Sequence, residues 1–106
     1  MAGQVSSVKL LNAATTTATG ETHAGWTWAR TYQATGFTTA GSGAADVIIE
    51  VSNDNSLWIT MATITLTLGT TATTDGFASA AAWRYVRARV SSISGTGAQV
   101  TAWMGA

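Results

Sequence analysis

The chain has 106 residues, of which 46% are hydrophobic and 9% are charged, and its five basic and five acidic residues cancel. That length accommodates one domain with one modest core. The balanced charge lacks the basic footprint with which proteins neutralise phosphates, so we expect no nucleic-acid partner.

The sequence contains no cysteine, which excludes disulfides. Cysteine usage therefore does not indicate whether the protein resides in an oxidising or a reducing compartment. It has no apolar run close to the about 20 residues that span a bilayer, and its N-terminus lacks the pattern of a signal peptide. We expect a protein that is made in the cytoplasm and does not enter a membrane. The scarcity of charge predicts a neutral surface of hydroxyl and methyl groups, which favours association with other subunits.

The pattern of residues 1–24 predicts one strand followed by a mobile connection. Residues 5–11 alternate in polarity, and the lysine and serines among them are typical of an edge strand. Residues 12–22 are rich in Ala, Thr and Gly without periodicity, which favours a loop. We expect residues 1–24 to supply a flexible arm or loop to a single domain that covers residues 1–106.

A second strand is predicted over residues 25–33. Trp26, Trp28, Arg30 and Tyr32 alternate onto one face of that strand. Aromatic and arginine side chains are enriched at the centres of contact surfaces, so these four are candidate interface or ligand contacts. The alternative is a sugar site, because the flat rings of Trp26 and Trp28 can stack on pyranose rings.

The clearest pattern is a β-hairpin. Residues 46–51 and 57–66 alternate between apolar and polar side chains, and the polar turn residues 52–56 join them. Residues 36–45, which precede the hairpin, contain three glycines and are predicted to form a loop.

The remainder of the chain predicts two further strands. Residues 69–76 break the alternation and end in an Asp75-Gly76 turn signal, and residues 77–82 are expected to form a crossing loop. Strands follow over residues 83–93 and 98–104, with a tight turn at residues 94–97. The whole pattern predicts an all-β, single-domain antiparallel β-sandwich of six to eight strands, jelly-roll-like, with Trp58, Trp83 and Trp103 plugging its ends.

No residue constellation indicates catalysis, a cofactor or a metal, so we predict that the chain is not an enzyme. The five carboxylates show no paired spacing, and no nucleophile or phosphate-loop motif is present. His23 and Glu21 could bind a transition ion, although a solvated histidine in a loop explains the pair better. Arg87 and Arg89 share one strand face, where ion pairing or solvation is preferred to a phosphate site.

Six segments carry a resemblance: IEVSND at 49–54, LW at 57–58, ATITL at 62–66, DGF at 75–77, WRYVRA at 83–88 and SGTGAQVT at 94–101. Together they resemble a family of tailed-bacteriophage virion proteins, either capsid decoration (cement) proteins or tail-associated subunits. The resemblance implies a β-sandwich on the phage particle. A weaker similarity to discoidin-type jelly rolls supports the same fold, and it transfers no sugar or lipid site.

These observations lead to one functional hypothesis and its rivals. We expect a capsid decoration subunit, a homotrimer that binds the major capsid protein on the outer surface of the virion and stabilises the shell. The alternatives are a structural subunit of the tail, neck or fibre, and a host-glycan-binding module.

Overall fold

In the computed structural model, which describes residues 7–24, 30–79 and 83–105, the chain is built from β-strands. Within those ranges no helix is long and apolar enough to cross a membrane. The strands are β1 (Ser7–Ala14), β2 (Ala18–Thr19), β3 (His23–Ala24), β4 (Arg30–Phe37), β5 (Ala40–Ser52), β6 (Ile59–Leu68), β7 (Thr73–Ser79), β8 (Tyr85–Thr96) and β9 (Gln99–Gly105).

The strands form two antiparallel sheets. Sheet A has the order β1-β9-β4-β7, and sheet B has the order β2-β8-β5-β6. The short strand β3 also pairs with β8, so β2 and β3 share one edge position of sheet B. With that pair counted as one strand, the fold has eight strand positions in two sheets of four, within the six to eight strands that the sequence predicts.

The pairing follows the pattern of a jelly roll. The first strand pairs with the last (β1 with β9), the β2/β3 edge pairs with β8, β4 pairs with β7, and β5 pairs with β6. A single long hairpin folded over itself, with its closed end at the β5–β6 pair, gives this order. The predicted all-β, jelly-roll-like sandwich is confirmed.

The core lies between the sheets and uses alternate residues of each strand. In sheet B these residues are Val47, Ile49 and Val51 of β5, with Val86, Ala88 and Val90 of β8. In sheet A they are Tyr32 and Ala34 of β4, with Val100, Ala102 and Met104 of β9. Burial of these apolar side chains on both inner faces is what holds the two sheets together.

The predicted hairpin is confirmed as β5 and β6. Its register places Ile49 opposite Ala62 and then Glu50 opposite Thr60, so Met61 is an extra residue that forms a β-bulge. In the turn, the Ser52 hydroxyl accepts hydrogen bonds from the backbone N–H groups of Asp54 and Asn55 at 3.2 and 3.1 Å. Asn55 adopts a φ of 59°, a left-handed conformation that asparagine tolerates better than most residues.

Two predicted loops are wrong in part because strands extend into them. Residues 36–45 were expected to form a loop, yet β4 continues to Phe37 and β5 begins at Ala40. Residues 69–76 were expected to break the sheet, yet β7 begins at Thr73 and contains the Asp75-Gly76 pair. Gly76 lies opposite Gln33, and a Cβ there would overlap the carbonyl oxygen of Tyr32. The glycine therefore permits close strand approach and does not form a turn.

Three smaller expectations also change. Within residues 12–22, which were expected to be a loop, β1 continues to Ala14 and β2 follows. His23 lies in β3 opposite Val86, not in a loop. Strand β8 continues to Thr96, so the predicted turn at 94–97 begins later. Residues 77–79 of the predicted crossing loop belong to strand β7. Residues 80–82 of that loop and part of the first predicted strand lie outside the described residues.

Candidate functional site

The outer face of sheet B carries an ion-paired cluster of Glu50, Arg87, Arg89 and Trp58, called here the arginine cluster. Glu50 Oε1 accepts a hydrogen bond from Arg87 Nε at 2.8 Å, and Glu50 Oε2 accepts one from Arg89 Nε at 3.3 Å. The Glu50 side chain is 10% exposed, against 25% for Arg87 and 36% for Arg89. One carboxylate is thus held between two guanidinium groups.

The strand register explains why these side chains meet. Glu50 of β5 lies directly opposite Arg87 of β8, and Ile48 lies opposite Arg89. Because alternate residues share a face, Arg87 and Arg89 both point outward while Val86, Ala88 and Val90 point into the core. The prediction that Arg87 and Arg89 share a face is confirmed. Of the two preferred alternatives, ion pairing and solvation, the structure shows ion pairing, and Glu50 is the partner that the sequence did not identify.

Trp58 fixes the position of Arg87. The guanidinium carbon of Arg87 lies 4.0 Å from the centroid of the Trp58 ring, which is a cation–π contact. Trp58 follows the turn of the β5–β6 hairpin, where Leu57 and Ile59 are 76% and 54% exposed. The hairpin tip therefore presents apolar surface beside the arginine cluster.

A groove adjoins the arginine cluster where the short strand β2 meets β8. It has a volume of about 340 Å³, and its polar lining consists of Thr17, Thr19, Arg89 and Ser91. We call it the arginine groove. A second cavity of about 530 Å³ opens between β1 and β2, lined by Lys9, Asn12 and Glu21 and by the apolar residues Leu10 and Leu11.

In the described part of the chain, the outer face of sheet A has far fewer charged side chains than the outer face of sheet B, and we call it the neutral face. Among its described side chains, Lys9 on the edge strand β1 carries a charge. Trp103 of β9 lies near its middle, between Lys9 and Gln33 in the strand register, and is partly exposed. The remaining side chains of the neutral face are uncharged and small or polar: Thr31, Thr35, Thr74, Ala78, Gln99 and Thr101.

Of the four contact residues predicted from the sequence, the described structure places the side chain of Tyr32 and the backbone of Arg30. Tyr32 is 1% exposed and stacks on Phe77, with ring centroids 5.0 Å apart. It is therefore a core residue and presents no surface to a ligand. Arg30 begins β4 opposite Ser79, and Trp26 and Trp28 lie outside the described residues.

The other tryptophans are placed differently from the prediction that they plug the ends of the sandwich. Trp83 is partly buried and packs against the core. The prediction is wrong for Trp58 and Trp103, which lie on the outer faces of sheets B and A respectively. Strand alternation could have located Trp103, because it is out of phase with the buried residues Ala102 and Met104.

Metal-binding side chains do not cluster in the described part of the chain: no group of three or more His, Cys, Asp or Glu side chains lies close enough to hold an ion. Asp54 instead serves the hairpin turn. Its carboxylate accepts hydrogen bonds from the N–H groups of Leu57 and Ser56, both at 2.9 Å, and from the Ser52 hydroxyl at 2.8 Å. These bonds lower the pKa of Asp54, with the bond from Leu57 contributing most.

The fold is similar to that of a solved structure described as the crystal structure of PBSX exported protein XepA. The TM-score is 0.57 at 17% sequence identity, and the match covers 94% of this chain and 36% of that chain. This chain thus spans about a third of the length of that protein. At this identity the likeness shows the fold alone. No family model and no curated protein matches the sequence.

Proposed function

We propose that the chain is a structural protein of a tailed-phage virion, a decoration subunit that binds the outside of the major capsid shell and stabilises it. The observation that carries this proposal is the neutral face of sheet A. That face is regular, centred on the partly exposed Trp103, and charged among its described side chains only at Lys9 on the edge strand.

A face of this composition is well suited to protein contact. Burying an unpaired charge costs several kcal/mol, and a face of threonine and glutamine side chains avoids that cost. Two threonines of this face, Thr35 of β4 and Thr74 of the edge strand β7, already form a hydrogen bond with each other, since their Oγ1 atoms lie 2.7 Å apart. Trp103 supplies the kind of aromatic anchor that dominates binding energy at protein interfaces.

The size of the neutral face favours an oligomer that binds through several copies. Four strands spaced about 4.8 Å apart, each about seven residues long, present a face of about 400 Å². A standard interface uses about 800 Å² per partner, so one such face supports only weak binding. A homotrimer would present three neutral faces to neighbouring capsid subunits at once, and linked contacts gain affinity through effective concentration.

Two comparisons support a phage origin. The segments within residues 49–101 resemble tailed-phage virion proteins, and the fold is similar to that of the exported protein XepA of the phage PBSX. On this proposal the protein has no enzymatic activity, is made in the host cytoplasm, and resides on the outer capsid surface without contacting nucleic acid or membrane.

Immunogold labelling of intact virions with antibody to this chain tests the proposal. Gold distributed evenly over the heads is the expected result. Gold confined to the tail, neck or fibres would overturn the decoration role and establish the chain as a tail-associated subunit. Native mass spectrometry of the purified protein tests the trimer separately, and a monomer at micromolar concentration would contradict it.

A further inference from the structure

The arginine cluster carries more positive charge than its own acid can neutralise. Glu50 supplies one negative charge and the two arginines supply two positive charges. In the described structure Arg87 and Arg89 form ion pairs with Glu50 and with no other carboxylate. Asp46, on the same face of β5, instead accepts a hydrogen bond from the Ser92 hydroxyl at 3.2 Å. The cluster therefore keeps a net charge of about +1.

The donors of the two guanidinium groups are only partly used. Each arginine reaches Glu50 through Nε, and the terminal Nη atoms have no hydrogen-bond partner among the described residues. A guanidinium group carries five N–H donors in a planar fork, which matches the two oxygens of a carboxylate. Arg87 is held by Trp58, whereas Arg89 is more exposed and lines the arginine groove.

The groove beside Arg89 is a shallow, open depression with the volume of a small-molecule site. Its volume of about 340 Å³ falls within the range of roughly 300 to 1,000 Å³ that such sites show. Thr17, Thr19 and Ser91 are the hydroxyl-bearing residues of its lining, and the Ser91 hydroxyl also donates a hydrogen bond to the Asp46 carbonyl at 3.4 Å. Hydroxyl groups both donate and accept hydrogen bonds, so they complement the hydroxyls of a sugar ring.

We infer that the arginine groove binds an acidic saccharide, with Arg89 pairing with the carboxylate of a uronic acid and the Thr17, Thr19 and Ser91 hydroxyls facing its ring. The surplus positive charge favours an anion, and the planar guanidinium fork of Arg89 matches the two oxygens of a carboxylate. The hydroxyl lining favours a sugar over an acidic peptide. This inference goes beyond the proposed function and does not depend on it.

The test uses the purified full chain and tri-galacturonic acid as the probe. Binding is followed by calorimetry and by the ¹H–¹⁵N signals of the arginine Nε–H groups, with ligand added to about 20 mM to detect a Kd of about 1 mM. We expect the Arg89 signal to shift on binding. Neutral galactotriose, a tri-glutamate peptide and inorganic phosphate, each at the same concentration, are expected to bind at least about tenfold more weakly.

Substitutions separate this site from a purely structural ion pair. Arg89→Gln should weaken tri-galacturonate binding about tenfold or more, because it removes a charge-assisted bond. Glu50→Gln should strengthen binding, because it removes the carboxylate that competes for both arginines. Arg84→Gln is the matched control, since Arg84 is exposed and lies outside the arginine cluster, and it should leave binding unchanged.

The variant Thr19→Val tests the groove while leaving the ion pairs between Glu50 and the two arginines in place. It should weaken tri-galacturonate binding and leave the weak binding of tri-glutamate unaltered. The inference is overturned if tri-galacturonate does not bind, if tri-glutamate or phosphate binds equally well, or if Arg89→Gln and Glu50→Gln both leave binding unchanged. Because the test needs no virion, its failure is distinct from a failure of the decoration role.

Discussion

Arg87 Nε donates a hydrogen bond to Glu50 Oε1 at 2.8 Å, and this bond places a nearly enclosed carboxylate on the outer face of a sheet. Arg89 completes the cluster with a longer bond of 3.3 Å and a more exposed side chain. Arg87 also packs on Trp58, a contact that Arg89 lacks. The two arginines, although they are equivalent in the sequence pattern, therefore contribute unequally to stability.

We expect Arg87→Ala to destabilise the fold more than Arg89→Ala. Removing Arg87 leaves a largely buried carboxylate with one long hydrogen bond and uncovers Trp58, so the free energy of unfolding should fall by about 2 kcal/mol. Arg89→Ala should cost about 0.5 to 1 kcal/mol, as expected for an exposed ion pair. Urea denaturation measures both, with Arg84→Ala as the exposed control. Equal losses from Arg87 and Arg89 would contradict the asymmetry.

The pH dependence of the hairpin turn follows from Asp54. Hydrogen bonds from Leu57, Ser56 and Ser52 lower the pKa of Asp54 below its ordinary value of 3.8. Because the folded protein favours the ionised carboxylate, this contribution is fully present above the unfolded pKa and is lost as the pH falls through the folded pKa. Asp54→Ala should therefore lower the urea midpoint at pH 7 and have a smaller effect near pH 2.

Asp75→Ala is the control for this prediction, because Asp75 is exposed and accepts a hydrogen bond from the adjacent Gly76 N–H. It should change the midpoint less than Asp54→Ala at pH 7. A midpoint loss for Asp54→Ala that is the same at both pH values would show that the ionised carboxylate does not support the turn.

The sequence predicted the fold class and the central hairpin because the responsible residues alternate visibly. Val47, Ile49 and Val51 alternate with polar or outward-facing positions, and this period matches the strand geometry. Strands β4 and β7 were partly missed because their Gly, Ala, Ser and Thr residues are typical of loops. Strand β4 pairs with β9, and β7 pairs with β4, through backbone hydrogen bonds. Such bonds do not depend on the side chains and so cannot be recognised from composition.

The candidate site was predicted only in part for a similar reason. The alternation placed Arg87 and Arg89 on one face, but the register that puts Glu50 opposite Arg87 is a long-range pairing between β5 and β8. The same limit applies to Tyr32, whose alternation with Arg30 could not tell the core face from the outer face. Only the packing of sheet A on sheet B decides that Tyr32 is buried.

Gly20 should not tolerate a side chain. Its N–H donates a hydrogen bond to the Ala88 carbonyl at 2.8 Å, and a Cβ at this position would overlap the carbonyl oxygen of Leu10. Gly20→Ala should lower the free energy of unfolding by about 2 kcal/mol or more, since the backbone of β1 must move. Gly69→Ala is the matched control, because a Cβ there meets nothing within 4 Å. It should be neutral or stabilise by up to about 1 kcal/mol.

Thermal or urea denaturation of the two glycine variants decides the point. Equal free energies of unfolding for Gly20→Ala and Gly69→Ala would contradict this prediction. They would mean that the segment after β2 can move away from Leu10 of β1 without loss of stability.

Tyr32 should be replaceable by phenylalanine. Its hydroxyl is buried and has no hydrogen-bond partner among the described residues, so the hydroxyl is expected to contribute nothing to stability. Tyr32→Phe should leave the free energy of unfolding unchanged or raise it by up to about 1 kcal/mol. Tyr32→Ala should lower it by about 3 to 5 kcal/mol, because it empties the space against Phe77. A marked loss from Tyr32→Phe in urea denaturation would contradict this account.

The proposed decoration role assigns capsid binding to the neutral face, and charge placed on that face should weaken it. The double variant Thr31→Glu/Gln33→Glu adds two carboxylates at exposed positions of β4. Because burying unpaired carboxylates costs several kcal/mol, binding to capsids that lack the protein should weaken about tenfold or more. Thr63→Glu/Thr67→Glu, at exposed positions of β6 in sheet B, is the control and should bind normally. Cosedimentation with capsids measures both, and the opposite ranking would place the capsid against sheet B.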